Sequence, residues 1–93
     1  MKTAVEAAPA ARCFRALANP ARLEVFFHLV RSGERPAGKI AKALKMPEPT
    51  LSRHLAILRD AGLLRCRRDS RNVYCSVRGD IVSLLVRILT ACC

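Results

Sequence analysis

The sequence predicts a mainly α-helical fold with a β-hairpin, in the order α-α-α-α-β-β-α, which is a winged helix-turn-helix. Three observations favour it. Two helical patterns are joined by the short turn Lys45-Met46-Pro47. Strand-forming residues on either side of Asp69-Ser70-Arg71-Asn72 indicate a hairpin, or wing. The last pattern, residues 80–92, is apolar nearly all round, so this helix must be buried.

Each element has its own signals. Asn19-Pro20 ends one helix and caps the next, Ser32-Gly33 ends the second, and Gly62 ends the fourth at a left-handed position. Residues 1–8 are expected to fray. Helices are expected at residues 9–18, 20–31, 36–44, 48–61 and 80–92, and strands at 63–68 and 73–77. Core positions are expected at Cys13, Phe14, Leu17, Leu23, Phe26, Phe27, Val30, Ile40, Ala41, Leu44, Leu51, Leu55 and Leu58.

Length and composition limit the class of protein. The 93 residues leave room for one domain, residues 1–93, and a 52% hydrophobic content is high for so small a chain. Part of that apolar surface is expected to face a second subunit, with the last helix at the interface. The start of the chain lacks a signal-peptide core, and no apolar run reaches the roughly 20 residues of a membrane span. We therefore expect a cytoplasmic protein without a membrane partner.

The charge points to nucleic acid. Lys and Arg total 17 against 7 Asp and Glu, a net charge of +10, and the arginines concentrate near the predicted helix-turn-helix and wing. The second helix of such a motif enters the DNA major groove with its N-terminus first. Predicted DNA-binding residues are Lys39, Thr50, Ser52, Arg53, His54, Arg68 and Arg71. The alternatives are a structural role for His54 and plainly solvated side chains for Lys39 and the wing arginines.

Three runs of residues carry a resemblance to a known family. FRALANPARLEVFFHL, PTLSRHLAILRDAGLL and RRDSRNVYCSV, within residues 13–90, resemble the ArsR/SmtB family of metal-responsive repressors. The resemblance implies a homodimer formed through the first and last helices. It also implies repression by binding a palindromic double-stranded operator, and release when an inducer binds.

The sequence departs from two of that family's metal-binding patterns. The third predicted helix has no Cys-x-Cys arsenic motif, and the last helix has Asp80 but no His, so no zinc site is expected. The ending ILTACC does resemble family members that close with a cysteine pair. Soft thiolates suit trivalent arsenic or antimony, which makes Cys92 and Cys93 the candidate ligands. Incidental terminal cysteines are the alternative.

A trivalent ion with three sulfur ligands would need one more thiol, whereas a mono-organic arsenical needs only two. Cys13 of the partner chain is one candidate, against the alternative of an apolar filler beside Phe14, and a ligand beyond residue 93 is another. The residues leave open which arsenical binds and how many sulfurs hold it.

Cys66 and Cys75 form a separate pair. If the hairpin turns at Ser70-Arg71, they face each other with Cβ atoms roughly 4.5–5.5 Å apart. In a reducing cytosol two free, half-buried thiols are favoured over a disulfide.

The sequence thus predicts an arsenic-responsive repressor. One alternative is the same repressor answering a thiol-reactive redox or persulfide signal, and another is a non-inducible DNA-binding protein held by charge. The sequence has no Cys-His-Asp set and no phosphate-binding loop, so we do not expect an enzyme. We also expect no small organic substrate other than an organoarsenical inducer.

Overall fold

The computed structural model describes residues 3–91, with side chains from residue 7 onward. Five helices and three strands follow one another in the predicted order, with one short strand added between the second and third helices. The elements are α1 (Thr3–Leu17), α2 (Pro20–Ser32), β1 (Arg35–Pro36), α3 (Ala37–Leu44), α4 (Glu48–Asp60), β2 (Leu64–Asp69), β3 (Asn72–Val77) and α5 (Gly79–Ala91).

Helix α1 is longer than the sequence suggests. Frayed residues were expected up to position 8, but the backbone is helical from Thr3, and Pro9 lies inside the helix. The segment around Pro9 is rich in alanine, the best helix former, which offsets the one backbone hydrogen bond that Pro9, the seventh residue of the helix, cannot donate. Ala10, Cys13 and Ala16 form the buried face of this helix.

Helix α2 begins as predicted, because the Asn19 side chain accepts a hydrogen bond of 3.1 Å from the backbone N–H of Arg22. Its predicted core face is wrong in part. The buried residues are Val25, Phe26 and Leu29, whereas Phe27 and Val30 are about half exposed. Since Phe27 and Val30 share the helix surface next to the true core face, the same periodicity fits both choices.

The helix-turn-helix consists of α3 and α4. Lys45 adopts a left-handed conformation with φ of 52°, and the Met46 backbone N–H donates to the Ala41 carbonyl at 2.9 Å, which closes the turn. Ile40 and Ala41 of α3 are buried, as predicted. Leu44 is only partly buried and packs against the core.

The wing is an antiparallel hairpin of β2 and β3 with the predicted register. Asp69 pairs with Asn72 and Cys66 with Cys75, so the loop is Ser70-Arg71, and Ser70 has φ of 60°. Strand β1 was not predicted, because two residues carry no alternation. It pairs with the free edge of β3 and gives a sheet in the order β1-β3-β2.

Helix α5 leaves much of its apolar surface exposed within one protomer. Only Leu85 is fully buried, while Val86 and Leu89 are more than half exposed, as is Val30 of α2. Large exposed apolar side chains on a small domain are typical of a contact with another subunit. Within the described residues, no helix is long and apolar enough to cross a membrane.

Candidate DNA-binding surface

The N-terminus of α4 is open to a ligand. Its cap, Pro47, makes no side-chain hydrogen bond to the first turn, and within the described residues no other side chain caps this turn. Pro49 has no N–H and the Leu51 N–H donates to the Pro47 carbonyl, so Glu48 and Thr50 carry the free backbone donors of this turn. These donors and the helix dipole attract phosphate, and the Glu48 carboxylate in the same turn opposes that attraction. Thr50, Ser52 and Arg53, all exposed, surround this end of the helix. These three predicted residues therefore lie together on one surface.

The opposite face of α4 fixes its position. Leu51 and Leu58 are fully buried and Leu55 is 5% exposed, so the predicted apolar stripe is confirmed. A Cβ added to Gly38 of α3 would lie 3.3 Å from the Glu48 carboxylate, so the Glu48 side chain lies against α3. The exposed side chains of α4 are therefore presented by a rigidly packed helix.

The wing tip lies beside the start of α4. Ser52, Arg71 and Asn72 line the same cavity of about 170 Å³, together with Glu48 and Gly38. A groove-reading helix and a basic hairpin loop thus border one concave surface. This is the arrangement that allows a helix to enter the major groove while the wing reaches a phosphate or the next groove.

The wing arginines fall into two groups. Arg67 is held in place: its guanidinium donates to both Glu34 carboxylate oxygens, at 3.0 and 3.1 Å, and lies 4.6 Å from the centre of the Tyr74 ring. The hydrogen bonds from Arg67 hold the pKa of the Glu34 carboxyl below its ordinary value. Arg68 and Arg71 are exposed and take part in none of the ion pairs formed by residues 7–91. They remain available to a polyanion.

His54 lies at the edge of this surface. Its side chain is half-buried, and its Nδ1 is enclosed without a hydrogen-bond partner among the described residues. Burial lowers the pKa of His54 below 6.5, and the positive charges of Arg22 and Arg53 lower it further. These surroundings therefore favour the neutral imidazole. Lys39 is exposed near the start of α3, on the helix that precedes the turn.

The cysteines occupy three different environments. Cys66 and Cys75 are joined as a disulfide, with Cα atoms 4.2 Å apart, so the expectation of free thiols is wrong for this structure. The facing register of the two strands explains it, because opposed residues in an antiparallel pair come within bonding reach. Cys92 and Cys93, the candidate arsenic ligands, lie outside the described residues.

Cys13 is a core residue. It is 3% exposed, and its thiol donates to the Ala61 carbonyl at 3.2 Å. Burial raises the pKa of this thiol, which disfavours the thiolate that a metal or arsenical would need. This environment is that of an apolar core residue, the alternative to a ligand role at Cys13. Within the described part of the chain, no cluster of three or more His, Cys, Asp or Glu side chains could hold a metal ion.

Sequence reasoning missed the role of Arg67 and the β1 strand. Both depend on contacts across 33 or more positions of the chain, since Glu34 lies next to β1 and reaches the wing only in the folded sheet. The alternation along Arg65-Cys66-Arg67 was the sequence signal for the position of Arg67. It places Arg67 on the outer face of the hairpin, opposite Tyr74 of the neighbouring strand.

The helix-turn-helix packs one face on the core and exposes a basic reading surface on the other, with a hairpin wing beside it. These features define a winged helix-turn-helix DNA-binding protein. A family model described as a helix-turn-helix domain matches residues 17–67. An HTH-type transcriptional regulator of Methanocaldococcus jannaschii is 32% identical over 80 residues, which is 86% of this chain and 90% of that protein. The arsenic resistance transcriptional regulator of Pseudomonas putida is 35% identical over 68 residues, 73% of this chain and 53% of that protein.

Solved structures agree with the fold. A homodimeric winged helix-turn-helix DNA-binding domain from Mycobacterium bovis, determined by solution NMR, has 30% sequence identity and a TM-score of 0.78, covering 98% of this chain and 84% of that one. The chain belongs to the ArsR family of winged-helix transcriptional regulators, which are DNA-binding proteins and not enzymes. It spans 53–65% of the length of several curated relatives.

Proposed function

We propose that this chain is an arsenic-responsive repressor that binds a palindromic operator as a homodimer. The observation that carries the DNA-binding part is the shared surface of Ser52 and Arg71, which brings the open start of α4 and the wing tip together. Thr50, Ser52 and Arg53 read the major groove, with Arg53 suited to the two acceptors of guanine. Lys39, Arg68 and Arg71 hold phosphates, and His54 contacts the backbone at the edge of the surface.

The homodimer supplies the symmetry that a palindrome requires. Exposed apolar side chains on α2 and α5, among them Val30 and Val86, support an interface on the side of the protomer formed by these helices. A dimer places its two recognition helices about 34–36 Å apart, the repeat of the DNA groove. The homodimeric M. bovis structure supports the same assembly.

The inducer is a trivalent arsenical bound by Cys92 and Cys93. Support comes from the chemistry of two adjacent soft thiols and from the arsenic resistance regulator among the relatives. Because Cys13 is buried in the core, two sulfurs per chain favour a mono-organic arsenical, which needs only two. The ligands directly follow α5, so binding there acts on the helix that we place at the dimer interface. A coupling of about 1–3 kcal/mol is typical of such linkage.

The test uses the reduced dimer bound to a fluorescent operator selected from a random duplex library. Methylarsenite and arsenite are titrated against parent protein and the double variant Cys92→Ser/Cys93→Ser, with Cys13→Ala as the matched control. We expect release of the parent and of the control, with methylarsenite acting at the lower concentration, and no release of the double variant. Equal release of the double variant would show that the inducer binds elsewhere.

A further inference from the structure

The facing cysteines of the wing lie where the wing meets the recognition helix. Cys66 and Cys75 occupy the third of six paired rows, counted from the base of the hairpin, and Arg68 and Asp69 lie further out toward the loop. Cys75 is fully buried and belongs to the core, whereas Cys66 is only partly buried. The pair thus separates an anchored base from the tip that carries Arg68 and Arg71.

A cavity connects this pair to α4. It has a volume of about 170 Å³ and is bordered by both cysteines and by one face of the recognition helix. The lining residues of α4 are Ser52, Leu55, Ala56 and Arg59. Ser52 also lines the concave surface that we assign to DNA, so the cavity beside the cysteines is bordered by a residue of the reading surface.

We infer that Cys66 and Cys75 are a reversible thiol–disulfide site, separate from Cys92 and Cys93, whose oxidation state sets how firmly the wing holds DNA. A small-molecule disulfide such as glutathione disulfide is the oxidant. The accessible thiol, Cys66, loses its proton, attacks one glutathione sulfur and expels one glutathione thiolate. Cys75 then loses its proton and attacks the Cys66 sulfur of the mixed disulfide, which expels the second glutathione. The pair loses two electrons and two protons, and two glutathione molecules are formed.

The order of attack follows from burial and charge. An external disulfide reaches Cys66 first, because Cys75 has no exposed surface. Arg59, beside the cavity, donates to Asp60 through Nε and Nη2, which leaves its Nη1 for a carboxylate of glutathione. Cys75 completes the exchange because it faces Cys66 in the paired register, and in the disulfide form their Cα atoms are 4.2 Å apart.

The two states differ in the room that the sulfurs require. Bonded sulfurs lie about 2.05 Å apart, whereas atoms in mere contact lie roughly 3.5–4.0 Å apart. On reduction the additional space comes from the adjacent cavity or from displacement of β2, since Cys75 is enclosed by the core. Either change loosens the wing tip. The oxidised protein therefore binds the operator more tightly, by roughly three- to tenfold if one or two arginines no longer have to be ordered.

This inference rests on the proposed DNA-binding surface but not on arsenic. The test uses the Cys92→Ser/Cys93→Ser protein, in which Cys13, Cys66 and Cys75 remain. It is equilibrated with glutathione buffers of increasing oxidised fraction, alkylated, and examined by mass spectrometry. We expect one intramolecular bond, between Cys66 and Cys75, while the buried thiol of Cys13 is alkylated only after unfolding. Absence of that bond at every ratio would overturn the inference.

Operator affinity of the oxidised and reduced forms is then compared by fluorescence anisotropy at fixed salt. The matched controls are Cys66→Ser/Cys75→Ser and, in case a buried serine disturbs the fold, Cys66→Ala/Cys75→Ala. Tighter binding after oxidation, absent in both controls, supports the inference, and equal affinity of the two forms overturns it. Failure of both forms to prefer the selected operator over random DNA would instead contradict the proposed function, because the mass spectrum tests the cysteine pair independently.

Discussion

Replacing Arg71 by alanine tests whether the wing tip binds DNA phosphate or is only exposed to solvent. Arg71 is exposed, lies in the hairpin loop, and shares a cavity with Ser52 of the recognition helix. If Lys39, Arg68 and Arg71 each bind one phosphate, a dimer neutralises about six phosphates. The logarithm of the binding constant then falls with the logarithm of salt concentration with a slope of about −5.4.

The variant removes two of these contacts, one from each subunit. The slope then becomes about −3.6, and at 0.15 M salt the lost counterion release corresponds to about a 30-fold weaker affinity, or about 2 kcal/mol. The loss is expected to be nearly equal on operator and random duplexes, because a phosphate contact carries no sequence information.

The assay is fluorescence anisotropy across a salt series, with Arg31→Ala as the control. Arg31 is also exposed and carries the same charge, but it lies in the last turn of α2 and lines neither of the cavities that Ser52 lines. Its removal should leave the slope unchanged. A slope for Arg71→Ala that equals the parent's would refute the placement of the wing tip on DNA.

Three further predictions concern the recognition helix. Arg53→Lys keeps the charge but loses the bidentate geometry, so discrimination against a changed guanine should fall by about 1–3 kcal/mol; an unchanged base preference in a repeated library selection would contradict this role. Leu51→Ala empties a fully buried position and should destabilise the fold by about 3–4 kcal/mol in urea unfolding at fixed protein concentration; a loss below about 1 kcal/mol would count against the packing described. Because the pKa of His54 is lowered in the folded protein, the stability of the fold that depends on a neutral His54 is complete above pH 6.5 and is lost as the pH falls below that value. His54→Gln should remove this part of the pH dependence of the unfolding free energy. NMR titration should place the imidazole midpoint below 6.5 in the free protein and higher beside DNA phosphates, whereas an unchanged midpoint in the complex would exclude contact.

Local sequence signals were sufficient for most of the fold. Asn19, Lys45-Met46-Pro47 and Gly62 marked helix ends that the structure confirms, and the hairpin register followed from the position of the loop. These features depend on residues that are neighbours in the chain. The choice of buried face on α2 failed because Val25 and Leu29 fit the helical period as well as Leu23 and Val30 do.

The candidate site was only partly predictable, for a related reason. Exposure of Thr50, Ser52 and Arg53 follows from the helical period, since the leucines of α4 occupy the other face. The ion pair that distinguishes Arg67 from Arg68 does not follow from any local pattern, because its partner, Glu34, lies 33 positions away in the chain. Whether Cys66 and Cys75 are bonded depends on redox conditions as well as on geometry. A reducing cytosol favours free thiols, whereas the structure has a disulfide.

Amide chemical shifts of the reduced protein, with and without its selected operator, test the proposed reading surface most directly. The account predicts the largest changes at the start of α4, around Thr50 to Arg53, and at the wing tip, around Arg68 to Arg71. Arg12, Arg15 and Arg22 line a second basic cavity, beside the C-terminal end of α4, and should change little. Largest changes around that second cavity, with α4's first turn and the wing unaffected, would contradict the central claim.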